Sequence, residues 1–326
     1  MPVRVVEGVV QHYAWGDGEF IPRLLGVAGR GQPWAELWLG THPGGPTVLD
    51  DGTPLSQLTG ELPYLLKVLS AAEPLSLQVH PGAAQAADGF ARGVFGDDQP
   101  KPELLVALTE FDALCGIRPE AATIGLLRAI GADALADVVA TQGAGAAVRA
   151  LYRNEVDAGE VLDRCDGRTE PEARLVHDLR HRYPSDPSVA VTLLLNHVRL
   201  QPGEALHLTA GNLHAYLHGS GIELMRASDN VVRGGLTTKP VDIDLLLATL
   251  DSTPLEQPVM AVDDGRYPLP EAGVTLVHLA PGDTHTAVGH ELAIAMDGTT
   301  LYLSPGSPIY ADSETYVVTT WAAPSA

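Results

Sequence analysis

Short apolar runs broken by glycine, proline or Asp-Gly constrain this chain most. The breaks recur at Gly16-Asp17-Gly18, Pro43-Gly44-Gly45-Pro46 and Asp51-Gly52, and again at Pro281-Gly282, Asp297-Gly298 and Pro305-Gly306. Turn residues at such spacing leave room for short strands but not for βαβ units, so both ends predict a sandwich or barrel. Leu65 to Val68 and Leu75 to Val79 are the clearest strands. Between Pro119 and about Val198 the chain turns rich in alanine and arginine and takes on helical periods. Pro119 suits a first helical position and Gly131 a stop. Leu175 and Leu179 mark another helix. Pro187 opens a third, with Ala190, Leu193, Leu194 and His197 on one stripe. Strands return at Leu200, where 203–211 reads as a strand entering a tight turn, and 240–250 reads as a helix. The expected fold is mainly β with a helical insertion.

The net charge of −21 over 326 residues argues against nucleic-acid and anionic-membrane partners, which need basic surfaces. It leaves room for a small anionic substrate in a locally basic pocket. Arginine outnumbers lysine 17 to three, so Lys67, Lys101 and Lys239 stand out; a buried ammonium can lose its proton where a guanidinium cannot. No apolar run is long enough to cross a membrane, the N-terminus lacks a secretory apolar region, and Cys115 and Cys165 are too few for a disulfide framework. A cytoplasmic location is expected.

Pro74-Leu-Ser-Leu-Gln-Val-His-Pro81 carries the sharpest chemical signal. On a strand, residues two apart share a face, which joins Ser76, Gln78 and His80 and sets Val79 opposite. Taken alone, a glutamine and a histidine on a half-buried strand mean little. A second segment, Gly203-(x)5-Thr-x-Gly-x-x-His214, resembles the second cupin motif, in which a glycine-turned hairpin presents a histidine to a metal; Thr209 stands where that motif usually has proline. Gln78-Val79-His80 stands where the first cupin motif has His-x-His. Glu103, after Lys101-Pro102, is a third candidate, in a segment biased to extended backbone. Gln78, His80, Glu103 and His214 form a mixed N/O set with room for solvent or substrate. His177 and His181 lie on the solvated side of a helix, and His278, His285, His290, His207 and His218 suit packing or surface roles better than ligation.

The order of motifs along the chain resembles the type I mannose-6-phosphate isomerases. The blocks are Tyr13-Ala-Trp-Gly16, Ala35-Glu-Leu-Trp-Leu-Gly-Thr-His-Pro-Gly-Gly-Pro46, Leu62 to Ser70 running into Pro74 to Pro81, Lys101 to Leu108, Phe111 to Arg118, Ala210 to Gly219 and Gly221 to Lys239. The resemblance implies a bicupin (two jelly-roll barrels). Residues 1–118 and 199–265 would form the catalytic cupin and its linker, 119–198 a helical insertion, and 266–326 a short C-terminal cupin without metal. It implies one Zn2+ per chain, held by Gln78, His80, Glu103 and His214, and an active-site arginine at Arg233. One departure stands out: the family reads Asn-His-Lys-Pro-Glu where this chain reads Gln99-Pro100-Lys101-Pro102-Glu103, so the imidazole before the lysine is replaced by proline.

The implied activity is interconversion of mannose 6-phosphate and fructose 6-phosphate, which moves a proton between C1 and C2 through an enediolate. Arg233 is the first candidate to stabilise that charge. Lys101 is the candidate for proton transfer, since an ammonium beside other cations gives up its proton more readily; its plainer role is a counter-ion to Glu103. Glu223 and Asp229 are alternative proton carriers, or else simply strand-edge and turn residues. Ser76, Lys239, Trp15 and Tyr216 are candidates for binding the hexose 6-phosphate, with Trp38 beside them. The rivals are another metal-cupin enzyme, such as an oxygenase, and a non-catalytic or divergent sugar-phosphate-binding metal cupin. Pro100 favours the last.

Overall fold

The computed structural model describes residues 3–320. Its architecture is mainly β with a helical segment between two β regions, as expected. The larger sheet is built around one long strand, His214–Arg226, which pairs antiparallel with Tyr64–Ala71, Glu103–Ala107, Phe111–Ile117 and Leu77–Val79. No straight strand could serve so many neighbours. The register shifts between Tyr216 and His218, and Gly219 follows at φ +119° with Glu110 O 2.6 Å from where a Cβ would stand. This irregular stretch lets the strand leave one set of partners for the next. All eight residues of Tyr64–Ala71 are buried, so both faces of that strand are covered.

The helical segment runs from Glu120 to Leu194 and contains Glu120–Ile130, Asp133–Gln142, Ala144–Tyr152, Ala158–Asp163, Pro171–Arg182 and Ser188–Val191, then a 3-10 turn at Thr192–Leu194. Gly131 ends the first helix in the left-handed conformation, as the sequence indicates, while Pro119 stands at the N-cap, one residue before the first helical position read for it. Its buried faces join one apolar cluster with Leu77, Val79, Leu114, Leu213 and Val232 of the sheet, so the insertion is continuous with the barrel core. The Tyr152 hydroxyl donates to the Gly234 carbonyl. The Leu236 amide donates to Asp186 Oδ2 at 2.9 Å and to Ser188 Oγ at 3.0 Å. The strand Val232–Gly235, which carries Arg233, is thereby pinned to the helices.

The second large sheet runs in the order Arg266–Leu269, Val274–Leu279, Thr315–Thr320, Glu291–Ala295, Thr300–Leu303, Val3–Glu7, Val48–Leu49. Two of its strands, Val3–Glu7 and Val48–Leu49, come from the N-terminal region. Other differences are local. His197 lies on the strand Leu195–Leu200, not on a helical stripe; the helical path ends as Leu195 turns to extended backbone and pairs with Ile117. The helix Ala83–Ala91 stands inside the N-terminal region that reads as strands and turns. Its alanines are strong helix formers, and Gln85 Oε1 accepts the Gly82 amide at 3.0 Å to close its first turn. The helix read at 240–250 is Ile243–Thr249, capped by Asp242.

Gly235 takes φ +143°, and a Cβ there would meet Ser188 Oγ at 2.1 Å, whereas Gly203, at φ +88°, has open space around its absent Cβ. Gly235→Ala is expected to lower the unfolding free energy read from urea melts by the strain of its backbone, about 1–3 kcal/mol, plus the displacement of Ser188. Gly203→Ala should show the first effect without the second. Equal losses would mean that Ser188 gives way freely.

Candidate metal centre

Four antiparallel strands bring the site together. Gln78 pairs with His214 on one side and with Arg233 on the other, and cross-strand partners hold their Cβ atoms about 4.5–5.5 Å apart. Leu77 and Val79 point into the apolar cluster while Gln78 faces the other way, the alternation the sequence shows. His80 follows at the strand end. Glu103 opens the strand Glu103–Ala107, and His214 opens the long strand.

The side chains converge. Glu103 Oε2 lies 3.2 Å from His80 Nε2 and 3.5 Å from His214 Nε2. His80 Nδ1 is 3.0 Å from the Asn230 carbonyl and His214 Nδ1 is 2.9 Å from the Asn212 carbonyl. A carbonyl can only accept, so each Nδ1 carries the hydrogen and each Nε2 presents a lone pair. Burial pushes the His80 imidazole down to about 4, which keeps it neutral. Its Nε2 has no hydrogen-bond donor among the described residues. Two imidazole lone pairs and a carboxylate oxygen thus face one another with no proton between them. A cation satisfies all three, and their ligand atoms lie within 4.8 Å of one another. Gln78 Nε2 donates to Ser76 Oγ at 2.9 Å, which leaves Gln78 Oε1 as a fourth oxygen donor. Ser76 therefore supports the Gln78 amide. The residues fit a divalent ion of zinc's preferences.

The second layer is ionic. Lys101 Nζ lies 2.8 Å from Glu103 Oε1, the counter-ion arrangement. Burial alone would raise the Glu103 carboxyl; Lys101 and the imidazoles reverse this and hold it well below its ordinary value. Beyond it, Lys67 Nζ reaches Glu223 at 2.8 Å and Glu36 at 3.3 Å, sits over the Trp38 ring, and Trp38 Nε1 donates to Glu36 at 2.7 Å. Burial works against the Lys67 ammonium, but the two carboxylates outweigh it. Glu223 is a buried mid-strand residue paired on both sides, not a strand-edge residue, and burial raises its carboxyl despite Lys67. Asp229 is exposed, and His42 Nε2 at 3.3 Å lowers its carboxyl.

A cavity of about 770 Å³ opens over this floor. Its wall includes Gln78, Glu103, His214, Lys101, Glu223, Asp229, Arg233, Ser76, Lys239, Trp15, Trp38 and Tyr216; His80 backs it from the buried side. Arg233 and Lys239 form no ion pair with another described residue. Glu36 and His42 fall in the block from Ala35 to Pro46, but nothing in the sequence singles them out within it, and Glu73 carries no sequence signal that points to the site. Lys67 stands out in the sequence without its partners, although a lone lysine inside the apolar run 64–71 is itself a sign that buried carboxylates must face it. His207 pairs with Glu271, His278 with Glu314 and His285 with Glu291, and His290 meets the Tyr302 hydroxyl, which accords with packing and surface roles.

A mainly β scaffold that gathers two imidazoles, a carboxylate and an amide beneath a cation-lined cavity defines a metal-dependent enzyme of small anionic substrates. A family model described as phosphomannose isomerase type I, catalytic domain, matches residues 4–120. The mannose-6-phosphate isomerase of Salmonella typhimurium is 33% identical over 92% of this chain and 92% of its own length; that of Escherichia coli is 34% identical over 80% of this chain and 79% of its own. A solved structure of mannose 6-phosphate isomerase from Salmonella typhimurium, bound to its substrate and to a zinc atom, superposes with a TM-score of 0.80 at 29% identity, covering 99% of this chain and 100% of that one. The chain belongs to the type I phosphomannose isomerase family.

Removing metal exposes the lone-pair conflict at Glu103, so chelation should lower the melting temperature and zinc should restore it. At a hundredfold excess over the dissociation constant the recovered stability is about 2.7 kcal/mol. His214→Ala and Glu103→Gln should abolish the response in differential scanning calorimetry. A melting temperature indifferent to zinc would rule out a folded-state metal site.

Proposed function

We propose that this chain interconverts mannose 6-phosphate and fructose 6-phosphate, with one zinc per chain held by Gln78, His80, Glu103 and His214. The observation that carries the reading is the convergence of His80 Nε2, His214 Nε2 and Glu103 Oε2 under a cavity that also holds Arg233 and Lys239, two cations without an ion-pair partner among the described residues. The zinc, when bound, supplies Lewis-acid stabilisation of the charge that develops on the substrate oxygens.

The chain's own residues do the rest. Arg233, held beside Gln78 by strand register and anchored through Leu236, places a permanent positive charge where the enediolate forms. Lys101 Nζ, on the far oxygen of Glu103 and on the cavity wall, carries the proton between C1 and C2. Burial raises the Glu223 carboxyl and His42 lowers that of Asp229, a divergence that suits them to acid and base roles around ring opening. Lys239 offers a point charge to the phosphoryl group, and Trp15, Trp38 and Tyr216 wall the sugar. Ser76 acts by holding Gln78. The domain reading is part of the same proposal: 1–118 and 199–265 around the metal, 119–198 as the insertion and 266–326 in the second barrel, with the strands Val3–Glu7 and Val48–Leu49 reassigned to the latter. No helix among the described residues is long and apolar enough to cross a membrane, and Cys115 and Cys165 are buried and unpaired, which suits a reducing cytoplasm. Neither nucleic acid nor membrane figures as a partner.

Pro100 favours a second reading, a binding cupin without turnover. A coupled assay for fructose 6-phosphate, run with and without chelator, separates them: zinc-dependent turnover is expected, and none with any hexose 6-phosphate would leave the binding module. Arg233→Ala should cost about 10²–10³ in kcat. Pro100→His should raise kcat if an imidazole at that place assists proton movement, and an unchanged rate in the zinc-loaded variant would mean another group already serves.

A further inference from the structure

The cavity over the metal has a second, solvent-facing end. There, Arg182, the last residue of the helix Pro171–Arg182, reaches across to Glu73 on the barrel, with Nη2 2.6 Å from Oε1 and both side chains partly exposed. Both residues line the same cavity as Lys239 and Arg233. Arg182 also borders an adjoining cavity of about 460 Å³ with Thr237 and Thr238, so it lies beside the segment that ends in Lys239.

The cavity's other carboxylates are occupied differently. Glu36 and Glu223 hold Lys67, Glu103 holds Lys101, and Asp229 faces His42. Glu73, partly exposed, instead covers the Arg182 guanidinium. An exposed ion pair of this kind contributes little stability, so it opens at little cost. A phosphate monoester brings nearly two negative charges and three acceptor oxygens, and it matches the planar guanidinium fork better than a single carboxylate does.

We propose that Glu73–Arg182 is an exchangeable latch: the 6-phosphate of the substrate displaces Glu73 and takes Arg182 as a second cation beside Lys239, so that the helical insertion contributes directly to selecting phosphorylated sugars. A neutral hexose has no group with which to displace Glu73, and in that case the latch stays shut. The inference rests on the isomerase reading for the identity of the ligand but not for the exchange itself.

The test uses the full-length, zinc-loaded protein and two probes, inorganic phosphate in titration calorimetry and mannose 6-phosphate in the coupled assay. Glu73→Gln removes the competitor and should tighten phosphate binding about five- to tenfold. Arg182→Gln should weaken it by a similar factor and raise KM for mannose 6-phosphate more than it lowers kcat, and Arg182→Lys should recover part of the loss. In an Arg182→Gln background, Glu73→Gln should have no further effect. A latch that only braced the fold would make both single variants act in the same direction, and that outcome overturns the proposal, as does unchanged phosphate affinity in both. If Arg182→Gln does not fold, the sign of the Glu73→Gln effect decides alone. If phosphate responds as expected while no hexose 6-phosphate is turned over, the exchange stands and the isomerase reading fails.

Discussion

The carboxylate of Glu103 imposes the constraint from which most of the site follows. It is buried among hydrogen-bond acceptors: one oxygen faces two imidazole lone pairs and the other faces an ammonium. Backbone carbonyls fix which imidazole nitrogen carries the hydrogen, so the conflict cannot be relieved by a tautomer change. The carbonyl of Asn230 is held in turn, because the Asn230 side chain donates to the carbonyls of Asp97 at 2.8 Å and Gln99 at 2.9 Å. The loop before Lys101 and the loop after the long strand therefore brace each other, and through them the ring of His80 is aimed.

Charge in this region is arranged against the sign of the whole molecule. A chain of net charge −21 repels small anions at long range, though salt screens that field over roughly 10 Å. Two of its three lysines are buried among carboxylates at the metal end, where they neutralise Glu103, Glu223 and Glu36. Arg233, in register with Gln78, and Lys239 line the same cavity without such partners among the described residues.

The local chemistry could be read from the sequence because it depends on short-range rules. Alternation on a strand places Gln78 opposite to Leu77 and Val79, and the glycine turn before His214 directs that side chain inward. The helix from Glu120 to Ile130 declares both its ends. What could not be read depends on pairing between distant strands. Glu36 becomes part of the site only because Trp38 and Lys67 are register partners, and His42 only because it meets Asp229. His197 carries the periodicity of a helix, yet it is claimed by pairing with Leu114. Tertiary context decides such short apolar runs, and periodicity alone does not distinguish them.

The strand Val3–Glu7 lies in the second sheet between Thr300–Leu303 and Val48–Leu49, and the Thr300 hydroxyl donates to the Val6 carbonyl across 294 residues of sequence. One edge of that strand is covered by the nearby Val48–Leu49, but the other must wait for Thr300–Leu303, far along the chain. The loop that this contact closes is among the costliest the chain has to form. Until then an unpaired β edge is available to other nascent copies. The metal site, whose ligands all precede residue 215, can assemble before that closure. Assembly of the second sheet would then be limited by that long-range closure, with the ligand cluster already in place.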